Sequence, residues 1–251
     1  MRKILCFLAI ACGFSSSPGV AQDLKVVASG DFPPYYYASG NGEAVGMTVE
    51  IVQATLAQAN LQTKIEPCPV ARALKLATDK ADVLIFTIFR TPEREAQFKW
   101  VAPVTPPIRS VLFKLAKRGD INLKTVDDAK RYKIGVVRGN NLHEMFSRHG
   151  FDQQLEPVAQ NVQNIRKLFA ERIDLCAGRE LPFATEMKPL GLDRKEVTTA
   201  LALNEDLAWM AFSKPTSDAL VERVRKAFEQ IKAKGIVDNI IKNRLREAAG
   251  E

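Results

Sequence analysis

Apolar and polar positions follow one another along this chain in short blocks whose period switches between that of a strand and that of a helix. Leu24 to Ser29 is a short β-prone run, and the prolines of the Gly30-Asp31-Phe32-Pro33-Pro34-Tyr35 stretch after it exclude a helix there. From Met47 to Asn60 the residues Met47, Ile51 and Ala54, with Val52, Leu56 and Ala59, recur at helical spacing and predict a helix. Thr63 to Glu66 reads as a strand, Val70 to Ala77 as a helix, and Asp82 to Thr87 and Val111 to Ala116 as strands. Thr125-Val126-Asp127-Asp128 has the form of a capping box opening a short helix. Beyond it come a strand from Lys133 to Val137, a helix to about His149, a helix from Val162 to Arg172, and a strand from Ile173 to Ala177. Leu207 to Phe212 is again β-prone, and Ala219 to Lys234 is an amphipathic helix broken by Gly235. There is no internal repeat. This alternation predicts an α/β fold with open, largely parallel sheets, which bind ligands at the carboxyl ends of their strands.

Three loops leave such strand ends: Phe32 to Tyr37, Thr87 to Arg94, and Arg138 to Asn141. The second carries the most information. The apolar run Val83-Leu84-Ile85-Phe86 opens into Thr87-Ile88-Phe89-Arg90-Thr91-Pro92-Glu93-Arg94. A strand that turns into a Thr-Pro-Glu helix start with an arginine one turn in aims a hydroxyl, backbone N–H groups and a guanidinium at one small volume, which suits a carboxylate. The same eight residues also describe an ordinary strand-to-helix turn with its arginine on the surface beside Glu93 and Glu95.

Composition narrows the classes. Arg2 and Lys3, the apolar run from Ile4 to Ala11, and the small residues Gly19-Val20-Ala21 have the three-part form of a cleavable signal peptide over residues 1–21. Removing it lowers the net charge from +7 to +5, carried on dispersed residues without a basic block, so a nucleic-acid role has no support. No other run approaches the roughly 20 apolar residues of a membrane span. Of the four cysteines, Cys68 and Cys176 lie beyond the leader, too few for a disulfide framework and without zinc spacing; they either pair or stay buried and free. His143 and His149 do not share a helical face and read as surface residues. No cofactor or metal is expected.

The order Phe32-Pro33-Pro34-Tyr35-Tyr36, Gly46-Met47-Thr48-Val49-Glu50-Ile51, Asp82-Val83-Leu84-Ile85, Thr91-Pro92-Glu93-Arg94 and Trp100-Val101-Ala102-Pro103 resembles the extracellular solute-binding proteins of family 3, the polar amino acid binding components of ABC transporters. The likeness continues through Ile134 to Asn140, Ala170 to Asp174 and Ala211 to Lys214. It implies a two-lobed periplasmic binding protein type II fold in which the chain crosses between lobes twice. Lobe 1 would comprise residues 22–109 and 209–251, and lobe 2 residues 110–208. It further implies a periplasmic monomer without enzymatic activity that passes a carboxylate-bearing small molecule to a membrane permease.

Carried over by residue, the resemblance makes Arg94 the grip on the ligand carboxylate, with Thr87 and Asn141 meeting the same group and Phe32 covering the ligand side chain. Two positions depart from the pattern. Phe89 stands where many relatives have serine, and Arg179, followed by Glu180, stands where amino acid binders place an aspartate for the ligand ammonium. Either Glu180 takes that role after a one-residue slip, or the ligand has no α-ammonium. With Arg72, Arg90 and Arg138 also near cleft loops, the expectation is an electropositive site that prefers anions and disfavours cationic side chains. The alternative on the same scaffold is a periplasmic dehydratase acting on prephenate-like or arogenate-like cyclohexadienyl acids, for which Glu180 is the one visible acid–base candidate.

Overall fold

The computed structural model describes residues 24–249; the expected leader lies outside them. In chain order the strands are β1 (Lys25–Ser29), β2 (Tyr37–Ala38), β3 (Ala44–Val45), β4 (Ile65–Cys68), β5 (Val83–Phe89), β6 (Phe98–Pro103), β7 (Ile108–Leu115), β8 (Ile134–Val137), β9 (Leu155–Val158), β10 (Leu175–Arg179), β11 (Val197–Asp206) and β12 (Ala208–Ser213). The α-helices are α1 (Met47–Gln58), α2 (Val70–Asp79), α3 (Pro92–Glu95), α4 (Asn141–Arg148), α5 (Asn161–Phe169), α6 (Glu180–Met187), α7 (Asp218–Ala233) and α8 (Ile236–Ala249).

Two five-stranded sheets organise the molecule, one ordered β4-β1-β5-β12-β6 and the other β11-β7-β10-β8-β9. In the first, β1 pairs parallel with β4 and β5, while β12 runs antiparallel between β5 and β6. Its central strands β1, β5 and β12 are largely apolar and buried because helices cover both faces. Val26, Ala28, Leu84 and Phe86 point into the core made with α1 and α7. Val27, Val83 and Ile85, one residue out of phase, pack with Ala73 and Ala77 of α2. The second sheet repeats the device. Leu175 and Ala177 of β10 join Phe146 of α4 and Phe151 on one face. Cys176 joins Ile165 of α5 and Phe183 of α6 on the other.

The chain passes between sheets after β6 and again between β11 and β12, and the two passages lie side by side. The Ala208 N–H donates to Thr105 Oγ1 at 2.9 Å, and the Val104 N–H donates to the Ala208 carbonyl at 2.8 Å. Cys68 and Cys176 are both buried and free, which closes the alternative that they pair. At the expected capping box the Asp128 carboxylate accepts from the backbone N–H groups of Lys124 and Thr125, but the turn it opens is a 3-10 helix, Asp127–Arg131.

Candidate functional site

The carboxyl ends of β1 and β5 in the first sheet face α4, α5 and the end of β10 in the second. Ser29, Asp31, Thr87, Phe89, Arg94, Asn140, Asn141, Gln160, Asn161 and Arg179 are among the residues around an inner cavity of about 70 Å³ between them. A single water needs about 10–15 Å³ of such space, so the cavity holds several water-sized groups, enough for a carboxylate.

Thr87 is held in a conformation that β-branched residues rarely adopt, with φ 60° and a buried side chain. The cause is a bulge in β5. Trp209 of β12 pairs with Ile88 and Met210 pairs with Phe86, leaving Thr87 without a partner across the ladder. The Thr87 hydroxyl is pinned by that of Thr48 at 3.0 Å. Such a residue costs about 1–3 kcal/mol and is retained where the surroundings fix it.

Arg94, one turn into α3, is 4% exposed, so the reading of this segment as a plain surface turn is corrected. Its Nη2 reaches across the cleft, donating to the Gly139 carbonyl at 3.1 Å and to Glu144 Oε1 at 2.7 Å. Gly139 adopts φ +72°, a left-handed turn that glycine enters without strain. The turn aims its carbonyl at Arg94 and starts α4, whose cap is the Asn140 side chain accepting from the His143 N–H at 2.8 Å. His143 is half-buried and accepts from the Gly139 N–H through Nδ1 at 3.0 Å, so the expectation of a mere surface histidine is corrected. A second ion pair, Arg148 with Glu93, joins α4 to α3 beside the first.

Arg179 closes β10 and is 5% exposed. Its Nη2 donates to Asn141 Oδ1 at 2.6 Å. Its guanidinium carbon lies 3.8 Å from the centre of the Phe89 ring and 5.4 Å from that of Phe32. Its Nε is buried and has no hydrogen-bond partner. Burial pulls this guanidinium down to about 9; the Asp206 carboxylate and Tyr35 oppose the fall, and the positive charge of Arg94 adds to it. Two arginines, one from each side of the cleft, therefore share one small cavity.

Of the residues expected at the site, Thr87, Arg94, Asn141 and Arg179 border this cavity, and Phe32 packs over Arg179. Two expectations need correction. Arg72 lies exposed on α2, outside the cavity lining. Glu180, one residue past Arg179 and so turned away at the start of α6, is exposed to solvent and faces Arg109 at 3.8 Å. Arg90 turns outward as well, stacked on Trp209 at 4.8 Å and paired with Glu95 at 2.5 Å, and Arg138 is exposed. The residues missed are Glu144, Asp31 and Glu186. Glu144 stands on the face of α4 that meets α3, a placement that helical spacing within α4 does not reveal.

Beyond Asp31, Gln160 and Asn161 the cleft widens into an outer cavity of about 570 Å³, also bordered by Pro33, Pro34, Tyr37, Glu186, Lys188 and Arg244. Burial pushes the Glu186 carboxyl up to about 7, Asp31 adds to the rise, and a hydrogen bond from Asn161 opposes it. Among the described residues no group of three or more His, Cys, Asp and Glu side chains is placed to hold a metal ion.

Residues 24–245 match the bacterial extracellular solute-binding proteins, family 3. The chain belongs to this family. It is 26% identical over 210 residues to the L-cystine-binding protein TcyJ of Escherichia coli (strain K12), covering 79% of this chain and 76% of that protein. It is 24% identical to ABC transporter arginine-binding protein 1 of the same organism, covering 95% and 97%. Among solved structures, a histidine kinase sensor domain described as similar to periplasmic binding proteins superposes with a TM-score of 0.79 at 16% identity, over 90% of this chain and 97% of that one. That likeness carries the fold, the two-lobed periplasmic binding protein architecture.

As a family 3 solute-binding protein, the chain has a binding role and is not an enzyme; the dehydratase reading finds no support in the family or in these relatives. Among the described residues no helix is long and apolar enough to cross a membrane.

Proposed function

We propose that the protein captures, as a monomer in the periplasm, a small carboxylate-bearing solute between its two lobes and hands it to the membrane permease of an ABC transporter. Lobe 1 would be residues 22–109 with 209–251, and lobe 2 residues 110–208. Relatives named for binding cystine and arginine support the solute class, because both ligands carry α-carboxylates. The observation that carries the reading is Arg179, whose Nε is a buried charged donor without an acceptor and whose side chain borders a cavity with room for a carboxylate. Buried donors are otherwise satisfied, and an unpaired charged one is costly. A carboxylate supplied by the solute removes that cost. Arg94 receives it from the facing side, with Thr87 and Asn141 fixing its orientation. Entry requires the lobes to part, as binding proteins of this architecture do by hinge motion.

The test is mass spectrometry of small molecules released on denaturing gently purified protein. The expected result is an enriched solute bearing a carboxylate. Enrichment of a neutral sugar, or of a cation lacking any acid group, would overturn the reading.

A further inference from the structure

The inner cavity has room for a carboxylate, and it opens past Asp31, Gln160 and Asn161 into a space about eight times larger, from 70 to 570 Å³. The two spaces differ in charge. Around the inner one stand Arg94 and Arg179, with Asp31 only at its boundary. The outer one adds Glu186, whose Oε2 accepts from Asn161 Nδ2 at 2.5 Å, so a residue of the inner wall orients it. The cations on the outer wall are already engaged. Arg244 is held by Glu50 and by Glu247, and Lys188 Nζ donates to the Ala248 carbonyl at 3.3 Å. Asp31 and Glu186 thus approach one cavity from opposite sides of the cleft, and among the described residues neither is held in an ion pair. Their carboxyls are both raised above the ordinary range, chiefly by burial, the condition of acids lacking a counter-charge.

We propose that the two cavities form one elongated dipolar site, taking the carboxylate of the solute at Arg94 and Arg179 and a cationic group, several bonds away, between Asp31 and Glu186. The inference rests on the carboxylate reading above and specifies it: the solute is a chain with opposite charges at its ends. It corrects the expectation of a cleft electropositive throughout. A cation placed next to the carboxylate meets two guanidiniums in a buried pocket, whereas one placed farther along meets two acids.

Thermal-shift titration at neutral pH tests it with three probe sets of matched chain length: ω-aminocarboxylates from 4-aminobutanoate to 8-aminooctanoate, the corresponding monocarboxylates, and the corresponding dicarboxylates. A ligand that binds the native state raises the melting temperature. The expected result is that at least one ω-aminocarboxylate binds tenfold or more tightly than the monocarboxylate and dicarboxylate of its length. That advantage should disappear in Asp31→Asn/Glu186→Gln, and the monocarboxylate response should stay unchanged in Glu186→Gln. Should the double variant not fold, judged by circular dichroism, Glu186→Gln alone is expected to reduce the advantage by about half on a logarithmic scale. Dicarboxylates equalling or outperforming ω-aminocarboxylates, or an advantage that survives both amide substitutions, would overturn the dipolar site and leave the carboxylate reading standing. Failure of that reading looks different: Arg179→Met would then leave every probe's response at the wild-type level.

Discussion

The two walls of the cleft each present one buried arginine to the same cavity, and their states differ. Arg94, on the wall that continues from β5, is met by a carboxylate of the opposite wall, Glu144, at 2.7 Å, and by the Gly139 carbonyl. Arg179, on the wall that continues from β10, has a neutral amide, two aromatic faces and a buried Nε with no partner, and the Asp206 carboxylate acts on it without forming a direct ion pair. A guanidinium already paired within the protein contributes to holding the walls together. One left short of an acceptor is stabilised most by something from outside. The arginine singled out by local motif is thus the internally satisfied one, and the arginine that looked like a departure carries the unmet demand.

Replacing each arginine is the strongest way to break this comparison. Arg179→Met is expected to weaken binding of the natural solute by two or more orders of magnitude without lowering the stability of the unliganded protein, since an apolar replacement removes a buried, incompletely paired charge. Arg94→Ala is expected to weaken binding as severely and also to cost about 1–3 kcal/mol in the unliganded protein, because Glu144 loses its partner. Isothermal calorimetry paired with urea denaturation separates the two outcomes. Equal stability losses in both variants would erase the distinction drawn between the walls.

The comparison extends to the carboxyl at the far end of the cleft. Glu186 titrates near 7 in the folded protein against an ordinary value of 4.5. Between those values the native state holds a proton that the unfolded chain has released, so this residue makes stability fall as pH rises through the window and has no further effect above it. Glu186→Gln is expected to flatten that fall, measured by chemical denaturation from about pH 5 to 8, and to raise stability toward the neutral end. Saturating the wild type with a solute that brings a cation to Glu186 should have the same flattening effect, because the carboxylate form then gains a partner.

Much of the fold was legible because its central strands are apolar on both faces. Val83 to Phe86 announces β5, and the period-3.6 pattern announces α1. Other elements were hidden for identifiable reasons. β9 contains Pro157 and sits at the edge of its sheet, where a missing N–H is tolerated. β11, Val197–Asp206, is also an edge strand and is rich in Thr, Asn and acidic residues. α6 carries Pro182 within its first turn, which reads as a breaker unless the helix start is known. At the site, Thr87 and Arg94 are legible from the strand-to-helix motif they share, whereas Asn141 and Arg179 are reached through the family resemblance. Glu144, Asp31 and Glu186 were found by neither route, because their relevance arises only when two sheets distant in sequence face one another. Glu180 was misplaced by a single residue, which on leaving a strand is enough to turn a side chain from cleft to solvent.

A smaller effect sharpens how Arg179 is held. Phe89 supplies the ring face beneath the guanidinium at 3.8 Å, and Phe89→Leu keeps an apolar side chain while removing the ring. Cation–ring contacts contribute about 0.5–2 kcal/mol, the upper end applying where water is excluded. The expected result is a weakening of solute binding by about three- to tenfold with stability changed by less than about 1.5 kcal/mol. If Phe89→Leu binds as the wild type does, the Asn141 hydrogen bond alone orients Arg179, and the replacement of the expected serine by phenylalanine has no part in recognition.

The smallest expected effect tests whether the paired wall acts through one ion pair or two. Glu93 and Arg148 bridge α3 and α4 beside the Arg94–Glu144 pair with the charges reversed, so each helix contributes one acid and one base to the contact. The outer pair is substantially exposed, 46% at Arg148 and 36% at Glu93, and exposed pairs contribute little, which salt screens further. Glu93→Gln should therefore change stability only slightly, with the difference vanishing by about 1 M salt. Small as it is, the effect bears on the cleft. Both pairs form only when the walls meet, so weakening the outer one favours the parted arrangement and speeds solute release, without touching any group that contacts the solute. Stopped-flow displacement at low and high salt measures this directly. A release rate that rises in Glu93→Gln at low salt and returns to the wild-type value at high salt identifies the outer pair as part of the closure contact. A rate unchanged under both conditions assigns the closure contact to Arg94 and Glu144 alone.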